Sequence, residues 1–201
     1  MTISLIRFLI FTFLLVNASA GQNKGQKQQP RAPRAISTSV VGDRWYTLMS
    51  PDKDIVIQFP SKPDHAADDE APGGTSRNYI LLKDDIVFKF TFIDTGLEPN
   101  SQEGNQLPLS FRKEMLNHAR ERGWTMIRSE LLSMNMYEQE TWSPIKRNPR
   151  QKLHYIERNI VRYGRLYTLT CASVIPDQKA DSASCSRFFN SFRVIGAPKP
   201  Q

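Results

Sequence analysis

The segment from Leu166 to Ile195, LYTLTCASVIPDQKADSASCSRFFNSFRVI, constrains the fold most, because it reads as strand, loop and helix in order and holds both cysteines. From Arg165 to Ala172 the residues alternate, with Tyr167, Leu169 and Cys171 on one face and Leu166, Thr168 and Thr170 on the other. That is the period of a strand with two unlike faces. Pro176 ends the strand and Asp177 is a natural N-cap. Beyond Lys179, Ala180 or Ala183, Cys185, Phe188, Phe189 and Phe192 recur at helical spacing, which predicts a helix with one apolar face. Both thiols then point into one strand-helix interface. As a disulfide, Cys171 and Cys185 would close a loop of 14 residues, roughly 3 kcal/mol of stabilisation by the chain-entropy argument. The other reading is two buried, reduced cysteines acting as small apolar side chains. Their separation excludes a CxxC redox motif.

Compartment bears on that choice. Met1 to Ala20 carries Arg7, an apolar run from Phe8 to Val16 and the small residues Ala18-Ser19-Ala20. This predicts a secretory signal peptide cleaved after Ala20, too short to span a bilayer. No cysteine follows the cleavage site, so no lipoprotein anchor is expected. The mature protein is expected to be secreted or periplasmic and not membrane-spanning, where oxidising conditions favour the bridge. The whole chain carries a formal +7; Arg7 leaves with the leader, and Lys24, Lys27, Arg31 and Arg34 sit in an acid-free stretch, so the remainder carries +2. That stretch, residues 21–42, is rich in Gln and Pro and reads as a disordered linker. Residues 43–196 have the length of one domain, followed by a short tail at 197–201.

Along the domain, Trp45 to Met49 and Asp54 to Phe59 flank Ser50-Pro51-Asp52-Lys53 and read as a hairpin. An acidic loop is expected from there to Gly74. Thr75 to Lys83 and Ile86 to Thr95 form a second hairpin about Asp84-Asp85, with Phe88, Phe90 and Phe92 on one face. A polar loop from Gly96 to Gln106 leads through Pro108 to a helix over Leu109 to Arg122, with Gly123 as its C′ residue. Three strands follow: Trp124 to Met136, Tyr137 to Trp142 continuing or pairing with it, and Lys152 to Arg162, which turns at Tyr163-Gly164 into the final strand. The expected class is α+β, a mostly antiparallel sheet of six to seven strands sandwiched by helices.

Several of these residues bring a family into view. Trp45-Tyr46-Thr47, Ser50-Pro51, the run Ile55-Val56-Ile57-Gln58-Phe59-Pro60-Ser61-Lys62-Pro63, the closing Leu166-Tyr167-Thr168-Leu169 and Phe188-Phe189-Asn190-Ser191-Phe192 resemble the Mog1/PsbP-like group. The resemblance implies an antiparallel sheet between helices. It also implies a binding or assembly role, since members include photosystem subunits, a Ran-GTPase partner and secreted bacterial proteins. These motifs are core and turn residues, so the resemblance brings no catalytic residue with it.

The residues themselves offer little chemistry. GxSxG, P-loop, GxGxxG and HExxH patterns are missing from the sequence. The three histidines, His65, His118 and His154, fall on a loop, a helix and a strand, and do not have the spacing of a zinc site. Asp68-Asp69-Glu70 and Asp84-Asp85 are runs, without the alternation of a calcium loop. No metal or cofactor is expected. The run Lys146-Arg147-Asn148-Pro149-Arg150-Gln151-Lys152, following Tyr137, Trp142 and Pro144 and with Arg158, Arg162 and Arg165 further on, is the candidate partner surface. Its residues Trp142, Lys146, Arg147, Arg150 and Lys152 suit an envelope protein or anionic surface, or equally an ordinary solvated loop. Nucleic acid is not expected. The leading expectation is an exported, non-enzymatic binding or accessory module. The alternatives are a carrier of a small apolar ligand or lipid, lined by Phe88, Phe90, Phe92, Phe188 and Phe192, and a hydrolase with His118 or His154 as base.

Overall fold

Arg165–Ser173 is buried along its whole length, and the main sheet is assembled about it. The computed structural model describes residues 44–50, 53–71, 74–94, 102–133 and 135–195; the expected leader, linker and tail lie outside them. In chain order the elements are β1 (Tyr46–Met49), β2 (Ile55–Phe59), β3 (Asp64–Ala71), β4 (Gly74–Lys83), β5 (Ile86–Asp94), α1 (Gln102–Glu121) and β6 (Thr125–Ser133). There follow β7 (Met136–Ile145), β8 (Asn148–Arg162), β9 (Arg165–Ser173), α2 (Ala183–Ser191) and β10 (Arg193–Val194). Seven strands form one sheet in the order β3-β4-β5-β9-β8-β7-β6, and a second, three-stranded sheet runs β1-β2-β10. The paired strands are antiparallel, as the α+β expectation required.

Register explains the core. Phe88, Phe90 and Phe92 stand opposite Cys171, Leu169 and Tyr167, and Ile156 and Ile160 stand opposite Cys171 and Tyr167 on the other side of β9. This apolar face packs against Ile55, Ile57 and Phe59 of β2 and Cys185, Phe188 and Phe189 of α2. Phe188 sits edge-on to Phe59 and Phe88, with ring centroids 5.1 and 5.5 Å apart. Each such side chain contributes about 1.5–3 kcal/mol on burial. α1 packs against β6, β7 and β8. It lies over the opposite face, because Arg112 bonds Ser129, and Ser129 bonds Tyr137, whose side chain alternates with the core-facing Glu138.

Turn chemistry follows the sequence closely. Asp84 and Asp85 both take positive φ, 52 and 61°, as do Tyr163 and Gly164 at 52 and 69°, the paired left-handed conformations of a type I′ hairpin turn. Gly123 (φ 67°) ends α1. The Gly123 N–H bonds the Arg120 carbonyl and the Trp124 N–H bonds the Ala119 carbonyl at 3.3 and 2.8 Å, a Schellman cap.

Four boundaries differ from expectation. The acidic loop before Gly74 is largely strand β3, an edge strand paired with β4. α1 starts at Gln102, so Pro108 lies inside it, although proline lacks the N–H that a helix interior uses. α2 is capped by Ser182, which accepts from the Cys185 N–H, and not by Asp177. Asp177 instead takes φ 60° in the preceding turn and accepts from the Lys152 N–H. Finally, β8 begins at Asn148, so the basic run is a hairpin end and not an open loop.

The two sheets are joined by an ion pair. Arg165 Nη1 of β9 donates to Asp54 Oδ2 at 2.7 Å, with the side chains 4% and 3% exposed. Ser50 Oγ accepts from the Asp54 and Ile55 N–H groups, fixing the β1-β2 turn that carries the carboxylate. Removing Asp54 leaves the buried Arg165 charge with poorer compensation, from the more distant Asp94 carboxylate at 3.7 Å. Asp54→Ala is therefore expected to lower unfolding free energy by about 3–5 kcal/mol in urea denaturation, far more than an exposed-charge deletion.

Candidate functional site

The end of the β7-β8 hairpin is shaped by two prolines. Ile145 pairs with Asn148 across the two-residue turn Lys146-Arg147, and the next partners are Pro144 and Lys152, which leaves residues 149–151 outside the ladder. Pro144 and Pro149 have no N–H to donate, so a regular ladder cannot continue here. Asn148 Nδ2 donates to Gln151 Oε1 at 3.0 Å, and the Arg150 N–H donates to Asn148 Oδ1 at 3.3 Å. The base is tied down by Lys152, whose N–H and carbonyl bond Asp177 and whose Nζ donates to Thr125 Oγ1 at 3.1 Å.

Of the five residues expected to form a partner surface, Lys146, Arg147 and Arg150 are exposed at this tip. Among the described residues no acidic side chain stands within ion-pair distance of them. Lys152 is half-buried at the base. Trp142 lies inward, its ring 4.7 Å from His154. The arginines further along β8 and β9 do not extend the patch: Arg158 binds Glu138, and Arg165 binds Asp54.

A charged row, not read from the sequence, crosses β6, β7 and β8 beneath the start of α2. Glu138 is held between Arg128 Nη2 at 2.6 Å and Arg158 Nη2 at 2.7 Å. Arg158 also stacks on Phe189, 5.1 Å from its centroid. Glu140 Oε1 bonds His154 Nε2 at 2.8 Å, and His154 Nδ1 accepts the Ala180 N–H at 2.9 Å. This fixes the Nε2–H tautomer and occupies both ring nitrogens, so His154 has none available to take a proton from a nucleophile. The period-two acids Glu138 and Glu140 on one strand face were the available signal. Above the row lies a cleft of about 140 Å³ lined by Arg128, Glu138, Arg158, Cys185, Ser186 and Asn190 among others.

The cysteines meet at the predicted interface, but both are free thiols and not a disulfide. The Cys171 side chain hydrogen-bonds Cys185, and this bond is the main cause holding the Cys185 thiol below its ordinary range. Burial pushes Cys171 far up, so it remains protonated. The phenylalanines expected to line a ligand cavity pack on one another: Phe90 lies 5.8 Å from both Phe92 and Phe192. His65 lies against Tyr79 at 5.2 Å, and His118 meets Trp124 edge-on at 5.2 Å, its affinity for a proton lowered chiefly by burial.

The face beneath α1 holds a buried polar stripe. Tyr137 Oη donates to Gln139 Oε1, Gln139 Nε2 to Glu157 Oε1, Asn159 Nδ2 to the same oxygen and Thr168 Oγ1 to Asn159 Oδ1, at 2.9, 3.4, 2.9 and 2.8 Å. Glu157 is raised to about 7, by burial first, against the opposing Asn159 hydrogen bond and Lys89 charge. Among the described residues the hydroxyl of Thr170, its neighbour across the ladder, has no hydrogen-bond partner.

No protein-family model and no curated protein matches the chain. Among solved structures it is similar to the cyanobacterial PsbP (CyanoP) of Synechocystis sp. PCC 6803, at 11% identity and TM-score 0.46, covering 78% of this chain and 95% of that one. No helix among the described residues is long and apolar enough to cross a membrane.

Glu157 gives the site a pH signature. Its folded value of about 7 lies above the ordinary 4.5, so between these the folded chain keeps a proton that the unfolded chain has lost. Its contribution to stability is complete below about 4.5 and is lost as pH rises towards about 7. Thermal melts should show Glu157→Gln more stable than the parent near pH ~8 and little different near pH ~5.

Proposed function

We propose that the chain is an exported, non-enzymatic binding or accessory module that engages an acidic partner protein of the envelope through the β7-β8 tip. The observation that carries this reading is the exposure of Lys146, Arg147 and Arg150 on an end whose base is hydrogen-bonded to two other segments. Cations lacking an intramolecular acid keep their full charge for a partner, and a braced tip loses little conformational entropy on docking. The export-type leader and the resemblance to the Mog1/PsbP-like group, which includes binding and assembly proteins, support the same role. Such contacts act mainly on encounter rate and specificity, and weaken with salt.

The test is capture from an envelope extract on the immobilised chain, comparing the parent with Arg147→Glu/Arg150→Glu. The reversed variant should melt as the parent does and lose captured partner by about tenfold or more at low salt. Undiminished capture by a folded variant removes the tip from the account.

A further inference from the structure

The seven-stranded sheet ends on β6, and among the described residues no strand pairs with its outer edge. An edge of this kind offers its N–H and C=O groups to another chain. It also holds large apolar side chains in water: Ile127, Leu131 and Leu132 are 47, 41 and 45% exposed. Leu109 of α1 is 53% exposed, and it lies three residues before Arg112, on the side of the helix that bonds Ser129 of β6. We propose that two copies of this chain pair along β6, antiparallel and two-fold symmetric, with Ser129 opposite its own copy, so that their large sheets become one.

The occupant follows from the strand's own residues. TMIRSELLS is complementary to itself when reversed about Ser129: Arg128 meets Glu130 of the copy, Ile127 meets Leu131, Met126 meets Leu132 and Thr125 meets Ser133. A two-fold interface requires such self-matching, because residue i meets j while j meets i. Opposite charges and apolar pairs directly across antiparallel strands stabilise, and like charges destabilise. The charges of one copy are also incomplete in the way this pairing corrects. Arg158 stands across the ladder from Glu138, and Glu138 from Glu130, so the row runs cation, anion, anion and stops at the edge. Arg128 shares that face, reaching Glu138 at 2.6 Å and Glu130 at 3.6 Å. In the pair, Arg128 of the second copy stands next in the row and gives Glu130 a cation on its open side.

The strand also limits the contact. Its register against β7 shifts at Ile127 and at Leu132, on either side of the regular run from Arg128 to Leu131. Bulges twist an edge and end pairing, so the new ladder is short and centred on Arg128, Ser129 and Glu130, with Ile127 and Leu131 closing both ends. A contact of this length belongs with small, transient interfaces, and association should set in above about 1 µM. The β7-β8 tip takes no part, so this proposal stands or falls apart from the binding role.

The test is sedimentation equilibrium of the whole chain from about 1 µM to about 1 mM. The parent should form a dimer and no larger species, because a two-fold contact closes on itself. Glu130→Arg places like charges opposite each other twice across the axis; it should melt as the parent does and raise the dimer dissociation constant about tenfold or more. Cross-linking reads the register. Residues directly opposite across antiparallel strands have Cα atoms roughly 4.5–5.5 Å apart, within disulfide reach. Under mild oxidation Ser129→Cys should therefore give a dimer linked at that position, whereas Thr125→Cys, which stands opposite Ser133 of the copy, should not. A parent that stays monomeric up to about 1 mM, open-ended polymers, a dimer that Glu130→Arg leaves unweakened, or one that Ser129→Cys does not link would overturn the proposal.

Discussion

A strand buried on both faces can satisfy the polar groups it carries only inside the protein, and each one left without a partner, as the Thr170 hydroxyl is among the described residues, costs free energy. Arg165–Ser173 sits at the centre of the seven-stranded sheet under that constraint, and its two faces answer it differently. Tyr167, Leu169 and Cys171 enter the aromatic core, while Thr168 joins the line of amides and carboxyl that ends at Tyr137. At its first residue, Arg165 reaches out of the sheet to Asp54, so the strand also locates the smaller sheet. Low dielectric strengthens such bonds when complete and makes each missing partner expensive.

What was legible in the sequence was what local chemistry determines. The alternation in β9, the turns at Asp84-Asp85 and Tyr163-Gly164 and the glycine after α1 depend on residues close together in the chain, and each appears where it was read. The misread segments depend on distant neighbours. Asp64–Ala71 has a polar, acidic composition suited to a loop and becomes a strand because β4 offers it an edge. Asp177 is a good N-cap residue by type, but the Lys152 backbone engages it and Ser182 caps the helix in its place.

The candidate surface was partly readable for the same reason. Three exposed cations in a run with two prolines can be recognised without knowing the fold. That Trp142 turns inward to His154, and that Arg158 is matched by Glu138, follows from strand register, which one sequence does not specify. The thiols show the limit from another side: helix and strand periodicity brought them face to face, but proximity left their chemical state open.

The interruption after Asn148 separates two kinds of constraint. Residues 149–151 contribute nothing to the ladder, while Lys152 and Ile145 on either side anchor it. Substitutions at the tip can therefore alter charge without disturbing the register of β7 and β8. The charge carried by this end of the molecule is thus physically decoupled from the packing that holds the sheet together, and the one can change with the other left as it is.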